Sequence, residues 1–233
     1  MEKVTSKQIY NRLSKVYDRS YDEPVHKIED DYIYKFISDK GFTEGKILDL
    51  GCGTGTLLKN IAILPENYIG LDIADKMIGI CQEKFPNNVF IIGDMSNIPN
   101  KEGSFDNVIS LFGSYSYSND HHKTTEEIKR VLKPKGKFLL MVCGIKYKSR
   151  KSYILNKFNI DSPARFFKKK ELKLLFKDFD NVKIFGMTML SEELSKHFPF
   201  SISKAYHFVE TNILGSIIPN KFYFLIITGN KHA

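Results

Sequence analysis

A chain of 233 residues with 42% apolar and 13% aromatic side chains is long enough to bury one sizeable core and too apolar for disorder to be the default. Its longest apolar runs, such as Phe138 to Cys143, are far too short to span a bilayer, and MEKVTSKQIY carries no secretory apolar stretch. Cys52, Cys81 and Cys143 are widely spaced and form no C-x-x-C pair, so a disulfide framework and a zinc site are both unexpected, as is any other metal, and the chain reads as cytoplasmic with no membrane partner. The formal charge of +8 rests on short runs, Lys146 to Lys151 and Lys168 to Lys170, and reads first as surface solvation rather than as a nucleic-acid footprint.

In chain order, residues 1–44 show apolar spacing of three and four (Ile9, Leu13, Val16; Ile28, Tyr32, Phe36), which predicts two amphipathic helices with a break around Pro24. The segment KILDLGCGTGTLL follows. A short apolar run carrying Asp49 breaks into Gly51, Gly53 and Gly55 before apolar spacing resumes at Leu57, which reads as strand, tight turn and helix, the helix running from Thr56 to Leu64 and stopped by Pro65. Alternate glycines let backbone approach a nucleotide-like ligand. Position 56 is Thr, so the pattern is D-x-G-x-G-x-G and not the G-x-G-x-x-G of dinucleotide sites. An acid two residues before the first glycine repels a pyrophosphate and suits an ammonium group.

YIGLD predicts a second strand ending in Asp72, placed to accept hydrogen bonds from a ribose diol. Asn88 to Met95 predicts strand three, ending in Asp94, and Phe105 to Phe112 strand four. The loop GSYSYSNDHH comes next. Within it His121 and His122 have two readings: a general base on a hydroxyl acceptor, or exposed first-turn residues of a helix capped by Asn119 or Asp120. Tyr115 and Tyr117 are read as walls of a substrate pocket that offer π-faces to positive charge. A helix from Asp120 to Leu132, a turn at Pro134 and Gly136, strand five, a helix in ARFFKKKELKLLFKDF, strand six in NVKIFGMTML and a last strand in KFYFLIITGN complete the pattern. Residues 191–220 form an insertion, helical through Ser203 to Leu214.

DLGCGTG, with the acids that follow it, resembles motif I of the class I S-adenosylmethionine (SAM) dependent methyltransferases of small-molecule type. The resemblance implies a Rossmann-like, doubly wound α/β fold: a seven-stranded, mostly parallel sheet with helices on both faces and the seventh strand inserted antiparallel beside the fifth. It implies SAM as cofactor and S-adenosylhomocysteine as product, with Asp49 holding the methionyl end and Gly51, Cys52, Gly53 and Gly55 against the cofactor. Ile73 and Met77 flank the adenine, Asp94 and the Met95 backbone bind its edge, Leu111 joins this set, and Tyr17 of a "YD" segment reaches the carboxylate. The LKPKG turn is similar to the family's LKPGG, with Lys135 in place of the first glycine. An N/D-P-P-Y motif is missing where base N-methyltransferases carry it.

The expected organisation is a single domain over 1–233: a helical cap (1–44), a cofactor-binding core (45–144) and two acceptor-site insertions (146–165 and 191–220). The expected function is SAM-dependent methyl transfer to an oxygen or nitrogen of a small-molecule acceptor, by a monomer or homodimer. Two other classes stand beside it: an RNA or protein methyltransferase using its basic surface, and a non-catalytic SAM-binding partner subunit.

Overall fold

A computed structural model of the protein describes residues 5–18, 24–149, 163–188, 197 and 199–233. Among them seven strands form one sheet: β1 (Ile47–Leu50), β2 (Tyr68–Asp72), β3 (Val89–Ile92), β4 (Phe105–Ser110), β5 (Leu132–Cys143), β6 (Asp180–Met187) and β7 (Phe224–Asn230). Their spatial order is 3-2-1-4-5-7-6. The first five pair in parallel, and β7 runs antiparallel between β5 and β6. The order reverses between β1 and β4, so a crevice opens beyond their carboxyl ends, where ligands bind in open α/β sheets.

The central strands are apolar on both sides because each side is covered. Successive residues point to opposite faces, so Leu48, Leu140 and Ile227 join one core while Ile47, Leu139 and Ile226 join the other. The first core is closed by α5 (His121–Val131) through Ile128 and Val131 and by α6 (Lys169–Leu175) through Leu172. The second is closed by α2 (Pro24–Asp39) through Ile33 and Ile37, and by α3 (Thr56–Asn60) through Leu57. Preceding these are α1 (Ser6–Leu13), opened by a reciprocal Thr5 and Gln8 cap, and a further short turn to Val16. The remaining helices are α4 (Asp75–Lys84) and α7 (Phe200–Val209).

Several boundaries differ from the pattern-based expectation. The helix after the glycine loop stops at Asn60, because an extended chain from Ile61 onward turns both Ile61 and Ile63 into the second core. Strand three ends at Ile92, two residues before Asp94, once the Gly93 N–H has closed on the Asp72 carbonyl at 2.9 Å. The helix expected over Ser203 to Leu214 begins at Phe200 and gives way after Val209 to a wide turn, Glu210–Leu214, and a last helical turn, Gly215–Ile217. That turn lies so close to β6 that a Cβ on Gly215 would sit 2.5 Å from the Gly186 carbonyl oxygen. Most of the expected 146–165 segment, and residues 191–196 and 198 of the second insertion, lie outside the described residues.

Candidate functional site

The crevice at the ends of β1 and β4 is built from the glycine loop outward. Gly51, Gly53 and Gly55 all have positive φ (74°, 55° and 85°), a conformation that other L-residues adopt at a cost. At Gly51 space is the second constraint: a Cβ would lie 2.4 Å from that of Ser114, whose hydroxyl donates to the Gly51 carbonyl at 3.1 Å. At Gly53 a Cβ would meet no protein atom within 4 Å, so this Cα faces the open crevice.

Asp72 fixes the loop. Its Oδ2 accepts from the Gly53 N–H at 2.9 Å and its Oδ1 from the Ala74 N–H at 2.8 Å. Burial pushes its carboxyl up, and these backbone donors oppose the shift without cancelling it. The carboxylate as a whole keeps acceptor capacity for a ligand hydroxyl. Asp94, at the next strand end, accepts from the Ser96 N–H at 2.8 Å and the Ser96 hydroxyl at 2.9 Å through Oδ1, while Oδ2 is met only by the Asn119 amide at 3.4 Å. Asp49 is buried behind the loop. Burial raises its carboxyl to about 7, against the pull of the Tyr68 hydroxyl that donates to it at 2.8 Å.

The N-terminal segment closes the opposite wall. Ser6 and Tyr10 of α1 line the crevice with Tyr17, and the Tyr10 ring stands edge-on to Tyr17 (6.0 Å between centroids) and to Tyr117 (5.3 Å). The segment is held from both ends. The Asn11 side chain donates to Asp75 Oδ1 at 2.9 Å and accepts from the Lys76 N–H at 3.0 Å. Asp18 accepts from the Thr54 hydroxyl of the glycine loop and pairs with Lys84 of α4. Burial works against the Asp18 charge, but these two donors win and hold its carboxyl below the ordinary range. The space enclosed, its open mouth included, is about 610 Å³.

Residues 47–136 match the family model of a methyltransferase domain. The chain is 37% identical over 145 residues to an uncharacterised protein of Methanocaldococcus jannaschii, covering 62% of this chain and 54% of that protein. It is 38% identical over 99 residues to a demethylmenaquinone methyltransferase of Thermotoga maritima, covering 41% and 42%. The chain thus spans about half the length of the curated relatives it matches. The fold is similar to that of a crystallised SAM-dependent methyltransferase of Thermotoga maritima, described as a "possible histamine N-methyltransferase", with a TM-score of 0.64, 19% identity, and coverage of 97% of this chain and 99% of that one. Residues 47–136 thus match a methyltransferase domain, and the fold around them is similar to that of the SAM-dependent methyltransferases.

The family's cofactor is SAM, and the crevice suits its parts: acceptor capacity on Asp72 for ligand hydroxyls, a bare Cα at Gly53, and half-buried Met95 and Asp94 at the far end. Of the residues singled out in the sequence, Tyr17, Gly51, Gly53 and Asp72 line it together with Ile73, Asp94, Met95 and Tyr117. Asp49, Cys52, Gly55, Met77 and Leu111 are not among the lining residues. Gly55 is needed for its turn and for Phe85, which a Cβ would meet at 2.6 Å, and the other four are buried. The Cys52 thiol is pushed far up, by its contact with Cys81 and then by burial.

The loop after β4 requires correction. Asp120 caps α5 by accepting from the Lys123 N–H at 3.0 Å, and this sets the helix so that His121 faces inward and His122 outward to solvent. The His121 ring packs edge-on against Tyr115 (5.3 Å) and Phe167 (5.1 Å), and its buried Nε2 has no hydrogen-bond partner among the described residues. Burial, with Arg165 nearby, lowers its pKa to about 4, leaving it neutral and a weak base. Tyr115 is also core and not pocket wall: its hydroxyl donates to the His121 carbonyl at 3.0 Å and lies 2.7 Å from the Thr125 hydroxyl. Neither histidine reaches the crevice lining.

Sequence reasoning missed Ser6, Tyr10, Leu71, Gly93, Ser114, Ser118 and Asn119 as lining residues. One signal was present: Tyr10 and Tyr17 are seven apart, on one face of a continuing helical turn.

Proposed function

We propose that the protein transfers the methyl group of SAM to a small-molecule acceptor at the mouth of this crevice. The observation that carries the proposal is the pair of carboxylates lining the crevice beyond successive strands, Asp72 and Asp94, beside a glycine turn whose central Cα is bare toward the ligand. When bound, SAM supplies an activated methyl group, so the work left to the chain is alignment and exclusion of water. Asp72 holds the loop and the ribose edge, Asp94 and Met95 take the adenine edge, and Asp49 provides negative charge near the methionyl end. Tyr10, Tyr17 and Tyr117 close the site as an aromatic wall that favours positive charge.

With His121 folded into the core, the acceptor is one that brings its own nucleophile: a neutral amine or an ionised hydroxyl. A second reading, methylation of an activated carbon, is favoured by the 38% identity to a demethylmenaquinone methyltransferase. Residues 1–44 act as the cap.

The test is a melt with S-adenosylhomocysteine, SAM and NAD in parallel, followed by transfer of labelled methyl to amines, phenols and quinols. Ligand at about a hundred times its dissociation constant adds roughly 2.7 kcal/mol to the folded state. Stabilisation by the two sulfur nucleotides alone, with label on an amine or hydroxyl, is the expected result. Label on carbon selects the second reading. No stabilisation by either sulfur nucleotide overturns the proposal.

A further inference from the structure

Helix α7 and the turns that follow it are amphipathic in the wrong direction for a core helix. Its buried face is polar: Ser203, His207, Glu210 and Thr211, spaced four, three and one apart, are all 2% exposed or less. Its outer face is apolar. Phe200, Ile202, Phe208, Val209, Ile213 and Ile217 stand out to solvent, Phe208 at 62% and Ile217 at 69% exposure. Single exposed apolar residues need no explanation, but a continuous row along one helix and its extension marks an interaction surface.

Along the row itself the exposed charge is positive, with the Asp31 carboxylate of α2 reaching Lys204 at 3.3 Å. Glu210 is the only acid between Phe200 and Lys221, and it is buried, whereas Lys204 and Lys221 are exposed. At the far end the Lys169 ammonium donates to the Ser216 carbonyl at 3.3 Å, which brings the N-terminus of α6, with exposed Lys168, Lys170 and Lys173, up against the row. An apolar stripe bordered by lysines is the pattern of a helix that lies in a membrane interface, where apolar side chains enter the acyl boundary and the lysines are drawn to an anionic surface. A second copy of the chain fits less well, because a two-fold contact through this face would bring the lysine rows of both copies together.

We propose that the outer face of Phe200–Ile217 is a peripheral docking surface for an anionic lipid bilayer. It needs no spanning helix, and among the described residues none is long and apolar enough to cross a membrane. The proposal is independent of which acceptor is methylated, and its test requires no turnover.

Flotation of the full chain with vesicles of phosphatidylcholine alone, or with roughly a third phosphatidylglycerol, is the experiment. Binding is expected on the anionic vesicles, weakening as salt is added. The triple change Phe208→Ser, Ile213→Ser, Ile217→Ser should reduce the bound fraction roughly tenfold or more, with the melting temperature kept. Lys170→Gln with Lys221→Gln should weaken binding to the anionic vesicles. Equal binding by wild type and triple variant overturns the proposal, as does no binding at all. A dimer in light scattering that the triple variant dissolves, without vesicle binding, assigns the face to a second copy instead. A large fall in melting temperature assigns it to contacts within the chain.

Discussion

The ends of β1 and β2 and the loop after β4 both bring polar side chains to the neighbourhood of the crevice, and the fold uses them in opposite ways. Asp72 receives two backbone N–H groups from its own loop and turn, so the same carboxylate shapes the crevice and borders it. The β4 loop turns Tyr115 and His121 away from the crevice into the core between the sheet and α6, and gives the crevice Ser114, Tyr117 and Ser118. An acid at a strand end is positioned by backbone that the strand itself dictates. A residue in the first turn of a helix is positioned by the phase of that helix, which here a single cap, Asp120, decides.

The comparison breaks most visibly at Asp72. Asp72→Ala leaves the Gly53 and Ala74 N–H groups without acceptors, and charge-assisted bonds of this kind are each worth about 1.5–3 kcal/mol. Cofactor affinity should fall by roughly a hundredfold or more, read by calorimetry with S-adenosylhomocysteine. Unchanged affinity would remove Asp72 from the site.

Gly51→Ala tests the loop sterically. The new Cβ meets Ser114 at 2.4 Å with φ at 74°, so stability should drop by about 2–3 kcal/mol in urea unfolding. Adding Ser114→Gly should recover the part due to the clash and leave the part due to φ.

Asp49 and His121 sharpen the contrast through pH, with opposite signs. The folded Asp49 carboxyl, at about 7, lies above its unfolded value, so the folded state holds a proton that the unfolded state has lost. The resulting cost is absent below about pH 4 and grows as pH rises through 7. Asp49→Asn should therefore gain stability relative to wild type as pH rises, measured by melting at pH 5 and 8, and lose cofactor affinity. The folded His121 value, about 4, lies below its unfolded one, so its cost is absent above roughly pH 6.5 and grows as pH falls to 4. His121→Phe should gain on wild type in acid and keep its turnover at neutral pH. A turnover loss in this variant, with cofactor affinity intact, would return His121 to the mechanism.

The smallest effect concerns a turn far from the crevice. Lys135 occupies a left-handed conformation, φ 63°, in the LKPKG turn. Lys135→Gly should add about 1 kcal/mol to stability and leave cofactor binding unchanged.

The sequence by itself determined the seven strands, a sheet covered on both faces, the glycine turn and the acids near the strand ends. These follow from period-two apolar spacing, from the conformational freedom of glycine and from chain order, all local properties. Only the tertiary structure decided the rest. Tyr10 became a wall because Asn11 and Asp18 reach across to α4 and the glycine loop, contacts between residues more than thirty-five positions apart. His121 went to the core because Phe167 and Tyr115 were there to receive it. The inverted face of α7 was invisible as well: its apolar residues alone read as a buried helix, and what places them outside is the close approach of Gly215 to Gly186 on β6, together with the Thr188 hydroxyl that meets His207 Nε2 at 3.3 Å. Burial is settled by which partner occupies each face, and composition along one strand of sequence does not carry that information.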